Sequence, residues 1–251
     1  MGQLKAQACD PESLMTNSPS AVNGDDRSRR VLVTGVSSGI GAAVAEHLLR
    51  DGWTVEGMSR SSPAFTHPRL HVTPVDLLDA GAVTEALSRL PPVDALVHAA
   101  GIMRVGKLGE PDPDGARMMW RLHVEATTQL VEHVAEQMSS GGRIVLIGSR
   151  TAEGAAGRGQ YAASKAAMVG LARSWAIELA PRGVTVNVVA PGATDTPMLR
   201  DPRRATLQPK LPPIGRFVKP EEVAALTAFL LSDSAASITG QRIFVCGGAS
   251  L

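Results

Sequence analysis

The amino-acid sequence predicts an α/β fold, a doubly wound parallel sheet of about seven strands with helices on both faces. From Arg30 onward, short apolar runs alternate with helix-like runs, a pattern typical of βαβ units with right-handed crossovers. Runs such as 144–147 are apolar throughout, as expected of strands covered on both faces. Six prolines fall in the connections, where they interrupt no ladder of hydrogen bonds: Pro63, Pro68, Pro91, Pro92, Pro111 and Pro113.

The first strand and the first helix show the two periodicities most clearly. Residues 31–33 form a short apolar run, and apolar side chains at Ile40, Val44 and Leu48 then recur at helical spacing. The same patterns predict seven strands, at 31–34, 54–58, 70–75, 94–98, 143–148, 184–189 and 242–245. They predict five helices, at 40–50, 79–89, 114–138, 161–180 and 220–231.

The length and composition are those of one globular domain. The chain has 251 residues, of which 44% are hydrophobic, and it shows no internal repeat. We therefore expect a single dinucleotide-binding and catalytic domain over residues 30–251. Residues 1–29 are polar and lack an apolar stretch, so we expect a disordered N-terminal extension and not a signal peptide.

The charge balance bears on partners and location. The formal net charge is +1, which gives no electrostatic case for nucleic acid or for an anionic membrane. No apolar run approaches the length of a membrane span, and no metal site is predicted. We expect a cytoplasmic protein that acts on a small molecule.

A glycine-rich segment lies between the first strand and the first helix. Gly35, Gly39 and Gly41 would let the backbone approach a pyrophosphate, whose charge the N-terminus of the helix favours. Ser37 and Ser38 add hydroxyl donors. An ordinary glycine turn is the alternative, because the spacing Gly-x-x-x-Gly-x-Gly differs from the common dinucleotide fingerprint.

Tyr161 and Lys165 form a second motif, twelve residues after Ser149. Residues four apart on a helix share a face, and a nearby ammonium lowers the pKa of a tyrosine hydroxyl from about 10. Such a pair could exchange a proton with a substrate hydroxyl near neutral pH, while Ser149 orients the same oxygen. The glycine turn, Gly101, Ser149 and Pro191 all follow strands, so we expect them to converge at the C-terminal edge of the sheet.

Together these motifs resemble the short-chain dehydrogenase/reductase family in its compact one-domain form, with a Rossmann-type sheet. The resemblance runs from about residue 30 to the C-terminus and rests on matching order and spacing. It includes Thr34 to Gly41, Asp76-Leu77, His98 to Gly101, Ser149, Tyr161-x-x-x-Lys165, Asn187 and Pro191 to Thr196. Two positions depart from the family pattern. His98-Ala99 replaces an Asn-Asn pair, and His123 stands where the family has a catalytic helix asparagine.

The resemblance implies a nicotinamide cofactor and the residues that would bind it. The second strand ends in Ser59-Arg60 with no acid, and an arginine here accommodates the 2′-phosphate of NADP, so NADP(H) is expected in preference to NAD(H), which remains possible. Asp76 would lie at the adenine edge or cap the next helix, and Asn187 is expected to be structural. The expected cofactor-binding residues are Gly35, Ser37, Ser38, Gly39, Ile40, Gly41, Ser59, Arg60, Asp76, Leu77, Ala99, Ala100, Gly101, Tyr161, Lys165, Pro191, Gly192, Thr194 and Thr196.

The resemblance also implies catalytic roles. Tyr161 would be the acid/base, Ser149 would hydrogen-bond the substrate oxygen, and Lys165 would lower the pKa of the tyrosine and hold the cofactor. His123 is the fourth candidate. It could join a proton relay, because histidine titrates near neutral pH, or it could only occupy the space of the asparagine, which is the interpretation we favour.

These roles predict an oxidoreductase that transfers a hydride between NADP(H) and a secondary alcohol or ketone. The alternative is a non-catalytic NADP sensor or scaffold. Halohydrin dehalogenases share this fold, but they lack the nicotinamide site and carry Arg in place of Lys165. The lysine here therefore favours a redox enzyme. The helices 114–138 and 161–180 are apolar on more than one face, which predicts a homo-oligomer, a tetramer by family resemblance, unless these are simply core helices.

The substrate itself is left open, with a steroid, a sugar and a small keto compound all possible. Its pocket is expected to be lined by the segment 150–153, by Met103 and Arg104, and by the loop 197–218. The loop contains Met198, Leu199, Arg200, Arg203, Arg204, Leu207, Lys210 and Leu211. Its basic residues could meet an anionic or polyhydroxylated substrate, or they could form a solvated loop.

Overall fold

A computed structural model describes residues 28–110, 112–202 and 210–251. Seven parallel strands form one sheet in the order β3-β2-β1-β4-β5-β6-β7. The strands are β1 (Arg30–Thr34), β2 (Thr54–Ser59), β3 (Leu70–Pro74), β4 (Ala95–His98), β5 (Arg143–Ile147), β6 (Thr185–Pro191) and β7 (Arg242–Val245). The order reverses between β1 and β4, which is where doubly wound sheets bind their ligands. The predicted fold class is confirmed.

Helices cover both faces of the sheet, as the alternating pattern predicts. They are α1 (Gly39–Arg50), α2 (Ala80–Ser88), α3 (Pro113–Trp120), α4 (Ala126–Gln137), α5 (Gly159–Leu179) and α6 (Pro220–Leu231). Two apolar cores result, one on each face of the sheet. Leu32, Leu96 and Ile144 face one core, whereas Val31, Val33 and Val97 face the other. Alternate residues of one strand therefore serve opposite layers.

The single helix predicted over 114–138 is divided by a π-helical turn at Arg121–Glu125. Two threonine hydroxyls donate back to carbonyls of this turn: Thr127 Oγ1 lies 2.6 Å from the His123 carbonyl and Thr128 Oγ1 lies 2.9 Å from that of Val124. Such back-bonding competes with the regular ladder and bends helices. Asp112 caps the N-terminus of α3 through the Gly115 amide, at 2.9 Å.

The last two residues of the predicted N-terminal extension contact the sheet domain. The Ser28 hydroxyl donates to the Gly52 carbonyl at 2.8 Å, and Arg29 pairs with Asp233 at 2.7 Å. The rest of the predicted extension lies outside the described residues.

Two features of the described part of the chain bear on its partners. None of its helices is long and apolar enough to cross a membrane. Within the same residues, no cluster of three or more His, Cys, Asp or Glu side chains could hold a metal ion.

Candidate active site

Two adjoining cavities open beyond the C-terminal ends of the strands. The cofactor-side cavity has a volume of about 320 Å³ and starts at the glycine turn after β1. The reaction cavity has a volume of about 510 Å³ and contains Ser149, Tyr161 and Lys165. The two are continuous, because both are lined by Ile40, Ala99, Gly101, Thr196 and Met198.

Nearly all of the expected cofactor-binding residues line one cavity or the other. In the cofactor-side cavity are Gly35, Ser37, Ser38, Gly39, Ile40, Ser59, Arg60, Asp76, Leu77, Ala99, Ala100, Gly101 and Thr196. In the reaction cavity are Ile40, Ala99, Gly101, Tyr161, Lys165, Pro191, Gly192, Thr194 and Thr196. Gly41 lines neither cavity and is buried inside the turn.

The glycine turn has a backbone that side chains would disrupt. Gly35 adopts a φ of 75°, and a Cβ there would lie 3.0 Å from the backbone of Ala100. A Cβ on Gly41 would lie 2.3 Å from the Gly35 carbonyl oxygen, so Gly41 allows the turn to close on itself. The open floor of this turn, at the start of α1, suits the pyrophosphate of a dinucleotide.

The end of β2 presents a positive charge to the cofactor-side cavity. Arg60 is exposed there and follows Ser59, whose hydroxyl donates to the Ser61 carbonyl at 2.7 Å. Glu56 is the one acid in β2, and it pairs with Arg30 at 3.1 Å. No carboxylate of β2 therefore competes with a phosphate at Arg60.

Asp76 and Asp79 have different roles. The Asp79 carboxylate caps α2 by accepting the Ala82 amide at 3.0 Å. Asp76 accepts the Leu78 amide at 3.0 Å and lines the cofactor-side cavity. The capping role that the sequence left open for Asp76 thus belongs to Asp79.

His98 is tied to β1 by a threonine hydroxyl. Thr34 Oγ1 accepts the amides of Ala99 and Ala100, both at 3.1 Å, and lies 3.0 Å from Nδ1 of His98. With both lone pairs engaged, the hydroxyl donates its hydrogen to Nδ1, and His98 carries its own proton on Nε2. Burial, with a smaller effect from the charge of Lys165, lowers the pKa of His98 to about 3.

The three residues of the predicted catalytic group lie together in the reaction cavity. Tyr161 and Lys165 lie one turn apart on α5, and both are buried, with exposed fractions of 6% for Tyr161 and 4% for Lys165. Lys165 Nζ donates to the Ile147 carbonyl at 2.8 Å. Burial lowers the pKa of Lys165 to about 7. Ser149 follows β5, and its Oγ accepts the Thr151 amide at 3.1 Å, which leaves its own proton to donate.

His123 lies behind Tyr161, outside both cavities. It is fully buried, and its ring meets that of Tyr161 edge-on, with the centroids 5.7 Å apart. Burial, assisted by the charge of Lys165, lowers the pKa of His123 well below the usual value. Asn187, expected to be structural, is also buried, and it holds the Ile238 carbonyl at 2.6 Å and the Gln241 amide at 3.1 Å.

The substrate end of the reaction cavity matches the predicted lining only in part. Arg150, Thr151, Met103, Met198, Leu199, Lys210 and Leu211 line it as expected. Arg104 lines the cofactor-side cavity instead. Glu153 is absent from the lining because it pairs with Arg242 at the start of β7. Arg203, Arg204 and Leu207 lie outside the described residues.

Two groups of lining residues were missed from the sequence. The first group, from the turn before α5, consists of Ala155, Ala156 and Arg158. The second group, from the C-terminus, consists of Gly248, Ala249 and Leu251. The position of Arg158, one helical turn before Tyr161, was the signal that could have revealed it.

Comparison with known proteins agrees with this geometry. Residues 35–250 match the family model described as Enoyl-(Acyl carrier protein) reductase. The 3-oxoacyl-(acyl-carrier-protein) reductase FabG of Salmonella typhimurium is 36% identical over 233 residues, covering 86% of this chain and 95% of the relative. The 2,3-dihydro-2,3-dihydroxybenzoate dehydrogenase of Escherichia coli is 35% identical over 246 residues, covering 90% and 99%.

A solved structure supports the same assignment. A short-chain dehydrogenase from Burkholderia cenocepacia in complex with NADP is 36% identical, with a TM-score of 0.80, and the match covers 89% of this chain and 98% of that one. The family model, the relatives and the fold all agree. The chain belongs to the short-chain dehydrogenase/reductase family of NAD(P)-dependent oxidoreductases.

Proposed function

We propose that the protein transfers a hydride between NADP(H) and a secondary alcohol or ketone, with Tyr161 as the acid/base. The observation that carries this proposal is that Ser149, Tyr161 and Lys165 share one cavity, which continues into the glycine turn. The cofactor supplies the hydride when it is bound. The protein's own residues bind the reactants, orient them and move the proton.

Tyr161 donates a proton to a carbonyl oxygen, or removes one from a hydroxyl. The Lys165 ammonium favours the tyrosinate, because opposite charges in a buried site attract strongly. Because the pKa of Lys165 is about 7, its side chain can gain or lose a proton near neutral pH. Ser149 donates to the same substrate oxygen and so holds it beside the tyrosine.

NADP(H) is favoured over NAD(H) by the charge at the end of β2. Arg60 offers a planar fork of donors to a phosphate, and the acid of that strand is engaged by Arg30. The remaining contacts with the cofactor would come from the glycine turn, from Asp76, and from the segment 191–196.

A homotetramer is the proposed assembly. Most of the apolar residues in α3 to α5 that suggested a second partner are buried within one chain, including Met119, Leu130, Val134 and Met168. The support that remains comes from exposed apolar side chains on these helices, Ile177 at 77% and Trp120 at 45%.

Oxidation of NADPH with a panel of ketones, and reduction of NADP⁺ with the matching alcohols, tests the function. We expect turnover that requires Tyr161 and Lys165. A protein that binds NADP(H) but turns over no carbonyl compound or alcohol would instead be the sensor or scaffold. Retention of both Tyr161 and Lys165 argues against that alternative.

A further inference from the structure

The ammonium of Lys165 has two acceptors inside the protein. Its Nζ donates to the Ile147 carbonyl at the end of β5, at 2.8 Å, and to the Sδ atom of Met168, at 3.5 Å. A lysine ammonium carries three N–H groups. The carbonyl and the thioether therefore take two of these groups, and the third is left for another partner.

The same ammonium lies where the two cavities meet. Lys165 lines the reaction cavity, and Gly101 lines both cavities. A Cβ on Gly101 would lie 3.7 Å from the Nζ atom of Lys165, so the lack of a side chain there keeps the space beside the ammonium open. The third N–H group of Lys165 is free to point into this space, which Tyr161 also lines.

Met168 belongs to the same helix as Lys165 and follows it by three residues, a spacing that makes two side chains neighbours on a helix. Met168 is fully buried in the apolar core that contains Ile144 and Leu146. A leucine would fill nearly the same volume, but it offers no acceptor. The thioether is therefore the feature that connects this core position to Lys165.

Three titratable side chains surround this ammonium: Tyr161 one turn earlier on α5, His98 at the end of β4 and His123 in the π turn. The pKa of each histidine is lowered by burial and by the charge of Lys165, so both are neutral at pH 7. Burial also lowers the pKa of Lys165 to about 7. A thioether is a weak acceptor, so it can hold the ammonium without replacing the solvation that burial removes.

We propose that Met168 is a positioning residue for Lys165: its thioether and the Ile147 carbonyl hold two N–H groups of the ammonium and so direct the third into the reaction cavity. This inference rests on the proposed function, in which Lys165 acts on the cofactor and on Tyr161. Met168 lines neither cavity and acts through Lys165 alone.

NMR of protein labelled with ¹³C in the methionine methyl groups tests the contact without turnover. The chain has nine methionines, and the Met168 signal is identified by its absence from Met168→Leu. We expect this signal to shift with a midpoint near pH 7, as Lys165 gains or loses a proton. The shift should persist in Tyr161→Phe and disappear in Lys165→Leu. A Met168 signal that stays constant between about pH 5.5 and about pH 8.5 would overturn the inference.

Binding and kinetics then measure the positioning itself. Met168→Leu should fold, because exchanging Met for Leu is among the mildest core substitutions. We expect the Kd for NADP⁺ to rise and kcat to fall, each by about twofold to tenfold, the range for one lost hydrogen bond. The KM for a ketone substrate should not change. The pH at which NADP⁺ affinity declines should move down, because the ammonium loses an acceptor and its pKa falls.

Met138→Leu is the matched control. Met138 is buried at the end of α4 and lines neither cavity. The exchange removes a thioether from the core without touching Lys165, so it should leave kcat, the Kd for NADP⁺ and the pH dependence at their wild-type values.

These measurements separate the inference from the proposed function. If the protein turned over no ketone or alcohol, a Met168 signal that titrates with Lys165 and a weaker affinity for NADP⁺ in Met168→Leu would still support the inference. Normal turnover by wild type, with kcat, Kd and pH dependence all unchanged in Met168→Leu, would overturn the inference and leave the function standing.

Discussion

The hydroxyl of Ser164 lies 2.9 Å from Nδ1 of His123 and donates to the Tyr161 carbonyl, also at 2.9 Å. Nε2 of the same ring accepts the Ile102 amide at 3.2 Å. The imidazole is therefore neutral, with its proton on Nδ1, and both of its nitrogens have partners. His123 connects the loop after β4 to α5, the helix that bears Tyr161.

His123→Asn should keep kcat within about tenfold of wild type, a smaller loss than an acid/base group usually causes. An asparagine can accept a hydrogen bond from the Ile102 amide. A leucine cannot, so His123→Leu leaves that amide unpaired and should lower the free energy of unfolding by about 1–3 kcal/mol. The pH–rate profiles of both variants are compared with wild type. A loss above a hundredfold in His123→Asn, with disappearance of a titration near pH 6 to 7, would show that His123 is catalytic.

Tyr161→Phe should reduce kcat by at least roughly a hundredfold, the lower end of the range for general acid–base catalysis. The ring and its contact with His123 remain, so the Kd for NADPH should barely change. Stopped-flow turnover and fluorescence titration of NADPH measure the two quantities. Near-normal turnover would refute the role of Tyr161.

Arg60→Asp should weaken NADP(H) binding far more than NAD(H) binding, because it replaces the cation that is proposed to bind the 2′-phosphate with an anion. Steady-state kinetics with both cofactors give the ratio of kcat/KM values. Arg69 is an exposed arginine outside both cavities, and its guanidinium donates to the Leu49 carbonyl at 2.9 Å, so Arg69→Asp offers a control. A higher catalytic efficiency of the wild-type protein with NAD(H) would contradict the cofactor assignment.

Acid should destabilise the fold partly through His98. The unfolded side chain binds a proton below its ordinary pKa of about 6.5, whereas the folded one does so only near pH 3. Between these values the unfolded state holds more protons, so stability falls as the pH falls. His98→Asn should reduce this slope by up to about 1.4 kcal/mol per pH unit.

Urea unfolding at several pH values between 6.5 and 4 measures that slope. His71→Asn, at an exposed position of β3, controls for the loss of a histidine in itself. An unchanged slope in His98→Asn would mean that His98 titrates alike in the folded and unfolded states.

Light scattering at micromolar concentration should give the mass of a tetramer. Ile177→Asp should shift the mass towards smaller species, since it places a charge on the most exposed apolar side chain of α5. A monomer mass for the wild-type protein would rule the assembly out.

Much of the architecture could be predicted from the sequence, because it follows from local patterns. Apolar runs locate the seven strands, and spacing brings Ser149, Tyr161 and Lys165 to one edge of the sheet. What was missed depends on contacts distant in the chain. Glu153 leaves the cavity because of Arg242, a residue of the last strand. Nothing in the local pattern of 150–153 indicates that pairing.

The π turn around His123 was missed for a different reason. Residues 114–138 have the periodicity of one continuous helix, and hydrophobic spacing does not register a change in backbone hydrogen bonding. The hydroxyls of Thr127 and Thr128, which bond to carbonyls of the π turn, are compatible with either form. His123 was therefore expected in a regular helix, whereas it lies in a π turn.

The π turn makes the length of this segment matter independently of its composition. A π turn holds one residue more than a regular turn would in the same place. Deleting a single residue from 121–125 should therefore leave a regular turn, so that α3 and α4 merge into one continuous helix with little relative rotation. The fold should survive the loss of one codon in this segment, but the wider backbone at His123 would be lost with it.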